Sequence, residues 1–182
     1  ELIEQLVSLA SAAEKKAAAD PSLREVDLAR FIGQWISSNF PDSNPKQLPL
    51  ILDVIGNTWI GSLDAIPGAI ETLEELRNRG YTLGLVSNCM FTPEHAMPEL
   101  ERLRMKPLLH FVVFSSAVGY RKPSPRIYQA ALKEAFPLGR PEDLSRVLFV
   151  GDSPAFDVIV PAQMGMKTVL VNRPPGFWPA AD

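Results

Sequence analysis

Asp152 and Asp157 in "VLFVGDSPAFD", Ser87 and Asn88 in "YTLGLVSN", and Lys122 in "GYRKPSP" are polar groups at or just beyond the ends of apolar runs. The two aspartates pose the sharpest question. Carboxylates brought together at the end of a buried strand repel each other unless a cation lies between them. A hard, oxygen-seeking ion such as Mg2+ suits the pair. It keeps several waters and takes one or two protein carboxylates plus a substrate phosphate oxygen. The Ser87 hydroxyl and the backbone N–H groups after it can donate to a phosphate. Lys122 is a cation able to stabilise charge on a transferring phosphoryl group.

Each residue taken singly has a plainer role. A strand-end serine often forms a turn, and a lone lysine is usually solvated. Asp152 could cap a helix, and Asp157 could be an acid of a first helical turn. Their joint placement, each near the carboxyl end of a strand, favours the shared chemical role. Cys89 lies beside these residues without a histidine partner in the pattern, and His95 and His110 fall outside it. Phe31, Trp35 and Trp59 read as packing residues.

The elements that must position these groups divide the chain into two textures. Residues 1–63 read as helices only and are expected to form a helical cap. Leu2, Ile3, Leu6, Val7 and Ala10 recur at helical spacing, and "ADP" at 19–21 ends that run. Ser22 with Glu25 three residues on predicts a capping box. It would open a second helix whose apolar face is Leu28, Phe31, Ile32, Trp35 and Ile36. A third helix is predicted over about 47–62, with Leu48, Ile51, Leu52, Ile55 and Trp59 on one stripe. Residues 64–182 alternate. A helix over 67–79 stops at Gly80, and then come four short apolar runs, "YTLGLVS", "FVVFSS", "VLFVGD" and "KTVLVN". Helical patterns near 93–105, 125–136 and 155–164 separate them; Pro98 interrupts the first, and Ser124–Pro125 opens the second. Alternation with nearly all-apolar strands predicts an α/β fold, a Rossmann-like parallel sheet covered on both faces. In such a sheet ligands bind beyond the carboxyl ends of the strands, where the polar residues above collect. The tail "NRPPGFWPAAD" reads as a surface extension.

The composition narrows the classes. A net charge of −3 gives no electrostatic case for nucleic acid or an anionic membrane. One cysteine cannot form an internal disulfide, and no leader pattern opens the chain, so the expectation is a cytoplasmic protein. No apolar run approaches the ~20 residues of a membrane span.

The same segments resemble the motifs of the haloacid dehalogenase-like hydrolases. "YTLGLVSN" is similar to the family's second motif, which implies that Ser87 binds phosphate with Asn88 beside it. "VGYRKPSPRIYQAAL" resembles the third, which makes Lys122 the lysine that steadies nucleophile and phosphate. "VLFVGDSPAFD" resembles the fourth, with Asp152 and Asp157 as Mg2+ ligands. The likeness is close over 64–172 and looser over the cap. It implies a phosphohydrolase that acts on a small phosphate monoester through an aspartyl-phosphate intermediate, with substrate choice set largely by the cap.

The family's first motif, D-x-D-x-T, is absent from the sequence. It carries the aspartate nucleophile and the acid/base aspartate, and in the family its strand lies between those that here end in Ser87 and Gly151. "LILDVIGNT" places Asp53 after an apolar run, but Ile55 and Asn57 stand where the acid/base aspartate and the threonine should be, and a helix explains the stripe. The nucleophile is therefore expected outside these 182 residues, and the neighbouring strands Val86 and Val150 should not pair with each other. Two other readings are a 2-haloacid dehalogenase, which displaces halide without a metal, and an inactive interaction module.

Overall fold

The structure, a computed structural model, describes residues 2–139 and 143–172. The tail over 173–182 lies outside the described residues. The fold is mixed α/β, with helices first and parallel strands afterwards, as the texture of the sequence predicts.

Helix α1 (Leu2–Ala19) buries Leu6, Ala10, Ala13 and Ala17, one stripe at helical spacing. Helix α2 (Leu28–Asn39) buries Leu28 and Ile32. It does not start at the predicted capping box. Its N-cap is Asp27, whose carboxylate accepts from the Arg30 N–H at 2.9 Å. The Ser22–Glu25 segment is instead a turn and a non-helical connection: Leu23 takes the left-handed conformation at φ +54°, and the Glu25 carboxylate is drawn inward by partners distant in sequence. Helix α3 (Leu48–Ile60) buries Ile55 and Ile60 and puts Asp53 on its exposed side. The Asp53 carboxylate faces His95 Nε2 at 2.8 Å. It is a helix residue, as the stripe indicates, and not a strand-end nucleophile. Gly56 is required by close approach: a Cβ there would lie 2.9 Å from His95 Cδ2.

In the alternating part, helix α4 (Ala69–Asn78) ends before Gly80, which takes the left-handed conformation at φ +81°. Strand β1 (Gly84–Ser87) leads to helix α5 (Pro93–Arg102), which continues through Pro98. Strand β2 (Phe111–Phe114) is followed by a helical turn, α6 (Ser115–Val118), so Ser115 and Ser116 lie beyond the strand rather than at its end. Helix α7 (Pro125–Ala135) has Ser124 as N-cap and proline in its first turn. Strand β3 (Leu148–Gly151) runs into a π-helical turn over Pro154–Ile159 and a short helix, α8 (Val160–Gln163), before strand β4 (Lys167–Leu170).

The four strands among the described residues form two parallel pairs, not one ladder. Strand β1 pairs with β2, with Val86 opposite Val113, and β3 pairs with β4, with Val150 opposite Val169. Val86 and Val150 are not paired with each other, as expected above. The Tyr128 ring on α7 packs edge-on to Phe149 of β3 at 5.4 Å, while Val86, Phe149, Ile127 and Tyr128 share one apolar cluster. Thus α7 covers the same face of both pairs. The opposite face of the second pair is uncovered: register aligns Leu148, Val150 and Val169 there, at 55%, 53% and 43% exposure. A second cluster joins α1, α2, α3 and α5 to Phe114 and the inner side of β1.

Candidate active site

The carboxyl ends of the strands bring Lys122 and Asp157 together. Lys122 Nζ lies 2.7 Å from Asp157 Oδ1, and both side chains are largely buried, at 14% and 3% exposure. Asp157 reaches this position because the π-helical turn after β3 folds back over Gly151. A Cβ at Gly151 would fall 2.2 Å from Asp157 Cγ, so only glycine leaves room for the carboxylate. The second carboxylate oxygen accepts from the Ser153 N–H at 3.0 Å. Part of the charge problem posed by the aspartates is therefore solved within the chain: the cation at Asp157 is the Lys122 ammonium. Tyr128 is packed beneath, and its hydroxyl donates to the Phe156 carbonyl. Burial, and then the charge of Asp157, raise its phenol above the ordinary range.

Asn88 fixes the Lys122 backbone. Its Oδ1 accepts from the Lys122 N–H at 2.7 Å, and its Nδ2 donates to the Lys122 carbonyl at 3.1 Å. This two-point clamp links the end of β1 to the lysine and gives Asn88 a holding role that its strand-end position did not announce. Ser87 is the last residue of β1 and is half-buried at the same rim. Cys89 is inert by comparison: burial pushes its thiol up to about 11, against the lowering effect of the Phe91 carbonyl.

Sequence reasoning missed a second constellation directly behind the first. Arg121, adjacent to Lys122, is 3% exposed. Its guanidinium meets Glu14 of α1 at 3.0 Å and Glu25 at 2.8 Å. The other Glu25 oxygen accepts from the Ser115 hydroxyl, which in turn accepts from the Cys89 N–H at 2.7 Å. Burial disfavours the Arg121 charge, but the two carboxylates outweigh it and hold the guanidinium above its ordinary range. The one available signal was the "RK" dipeptide, which local patterning assigns to solvent.

The oxygen donors suit a hard cation in part. Asp152, just beyond β3, is exposed, and both oxygens of Asp157 accept from protein donors. Among the described residues no group of three or more His, Cys, Asp or Glu side chains gathers to hold a metal. That is compatible with Mg2+, which needs only one or two protein carboxylates.

Parallel strand pairs, a helix across both and polar groups at their carboxyl ends define a Rossmann-like α/β core joined to a helical cap. The chain belongs to the haloacid dehalogenase-like hydrolases, whose family model matches residues 4–171. It is 33% identical over 126 residues to a glyceraldehyde 3-phosphate phosphatase of Pyrococcus abyssi, covering 69% of this chain and 50% of that protein. It is 32% identical over 155 residues to the protein of the same name in Pyrococcus furiosus, covering 79% and 61%. The chain thus spans between half and three-fifths of these relatives. A crystal structure of a dehalogenase superposes with a TM-score of 0.62 at 24% identity, covering 97% of this chain and 75% of that one, a likeness of fold. Among the described residues no helix is long and apolar enough to cross a membrane.

Proposed function

We propose that this chain is the greater part of a Mg2+-dependent phosphohydrolase that acts on a small phosphate monoester. The observation that carries the reading is the buried Lys122–Asp157 pair at the carboxyl ends of the strands, with Lys122 clamped by Asn88 from β1. An ammonium in a shielded site acts on a phosphoryl group more strongly than in water. Ser87 and the backbone N–H groups beyond β1 would receive the remaining phosphate oxygens. Asp152 would hold Mg2+, with Asp157 behind it, and the bound ion would neutralise developing phosphoryl charge. Residues 1–63 would act as the cap and 64–182 as the core. The phosphatase names of the two Pyrococcus relatives support this reaction class and a small phosphorylated substrate.

The nucleophile is an aspartate supplied from outside these 182 residues, on a strand that pairs with β1 on one side and β3 on the other. The support is physical. Among the described residues neither β1 nor β3 has a ladder partner on its other edge, and an open strand edge is a row of N–H and C=O groups ready to pair. A strand ending in D-x-D there would bring an aspartate to the rim that holds Lys122.

The test uses the full source polypeptide with an aryl phosphate, with and without Mg2+, in water labelled with oxygen-18. The expected result is Mg2+-dependent phosphate release, with the label entering the released phosphate and not the aspartate, because water attacks phosphorus, and with an aspartyl phosphate trapped by borohydride reduction during turnover. Halide release from a 2-haloacid without Mg2+, or no turnover of either substrate, overturns the proposal in favour of a dehalogenase or an interaction module respectively.

A further inference from the structure

Residues 119–122 are tethered at nearly every position, and the tethers lead to the helical segment at the start of the chain. The Glu25 N–H donates to the Gly119 carbonyl at 3.1 Å, and the Arg121 N–H donates to the Leu23 carbonyl at 2.9 Å. Between them Arg24 and Tyr120 form an isolated antiparallel bridge. The Tyr120 ring is approached by the Arg24 and Arg126 guanidinium groups, at 5.4 and 4.2 Å from its centroid. At the centre is the Arg121 side chain, shared by Glu14 and Glu25. Glu25 is itself 2% exposed, so one charge of each sign is withdrawn from water where the guanidinium meets it.

Burying such a group is costly, and replacing it by apolar side chains is often neutral or stabilising. A charged junction retained here is therefore explained better by placement than by stability. Its position shows what is placed. One arm runs from Arg121 through the main chain to Lys122. The other runs from Glu25 through the Ser115 hydroxyl to the Cys89 N–H, next to Asn88, whose amide holds the Lys122 backbone. Both arms converge on the same lysine. Glu14 extends the junction to α1, at 37% exposure, on the outer side of the cluster.

We propose that Arg121, with Glu14 and Glu25, is a positioning residue: the junction sets the Lys122 ammonium against Asp157 and couples it to the placement of the first helix. Movement of α1 or of the 20–27 connection is transmitted to the lysine through a rigid, directional contact, because a guanidinium fork meets two carboxylates in fixed geometry. The inference rests on Lys122 being the phosphate-side cation of the site.

The experiment follows the Lys122 ammonium in the full polypeptide by nitrogen-15 NMR, assigned with Lys122→Arg, together with kinetics on an aryl phosphate. The variants are Arg121→Met/Glu25→Gln, which removes one buried charge of each sign, Arg121→Lys and Glu14→Gln. In the folded double variant, hydrogen exchange of the ammonium should quicken about tenfold or more. The turnover number should fall about tenfold or more with KM little changed. Arg121→Lys should recover part of both. Wild-type exchange at Lys122 in a folded double variant overturns the inference. If the double variant does not fold, Glu14→Gln decides: roughly twofold or faster exchange supports the coupling and unchanged exchange refutes it. If the wild-type protein turns over no phosphate ester, the exchange measurement still decides the positioning role, and only the phosphatase reading falls.

Discussion

Lys122→Met would expose the energetics of the site most directly. The substitution keeps the length and apolar stem of the side chain and deletes its charge. Asp157 is 3% exposed and would keep only the Ser153 N–H as donor. Breaking a buried ion pair from one side costs about 3–5 kcal/mol, because the remaining charge is stranded. Lys122 retains 14% exposure, so water can partly replace the ammonium, which places the loss near the lower end, about 3 kcal/mol. For a protein of this size that is a fall of roughly 6–12 °C in Tm. Asp157→Asn added to Lys122→Met removes the stranded charge while the amide oxygen can still accept from Ser153. Stability should then return most of the way. Urea unfolding of the wild type, both single variants and the double variant closes the cycle, with slopes compared to exclude changes in the unfolded state. A coupling of about 2 kcal/mol or more is expected. A loss below about 0.5 kcal/mol for Lys122→Met, the range of an ordinary surface substitution, would refute the buried pair and return Lys122 to solvent.

Gly151→Ala should displace Asp157, since the added methyl would lie 2.2 Å from its Cγ. Chemical denaturation should report a loss of about 1–3 kcal/mol, and a neutral substitution would contradict the packing of the turn on β3. Asp152→Asn should weaken Mg2+ binding about tenfold or more in titration calorimetry, and unchanged affinity would remove Asp152 from the metal site. The raised thiol of Cys89 gives a signed pH dependence. Its folded value, about 11, lies above the ordinary 9.0, so the folded state holds the proton more firmly and stability is lost as pH rises between those values. Cys89→Ala should flatten the stability profile over that window, and alkylation of Cys89 at pH 8 should be slow until the protein unfolds; rapid labelling of the native state would disprove the burial.

The sequence by itself determined the elements and the identity of most polar groups at the strand ends. Apolar runs bounded by turn residues locate β1 to β4, and the stripe through Leu48, Ile51, Leu52 and Ile55 marks α3, so Asp53 could be assigned to a helix. These signals are local: side-chain periodicity and capping are set within a few residues. The exception among local signals is instructive, because Ser22 and Glu25 have the right types and spacing for a capping box. Glu25 is instead claimed by Arg121, 96 residues away. Tertiary structure alone decided which charge meets which. The pairing of Lys122 with Asp157 spans 35 residues and that of Arg121 with Glu14 spans 107. Spacing in sequence carries no information on contacts at that range; they depend on how helices and strands pack. The same holds for the division of four strands into two pairs, since which strands lie side by side is a non-local outcome of packing that no single strand's pattern contains. Burial completes the distinction. A lysine and an arginine adjacent in sequence look alike to solvent-based patterning, yet the fold withdraws both from water and gives each carboxylate partners, because a buried charge is tolerated only when it is paired.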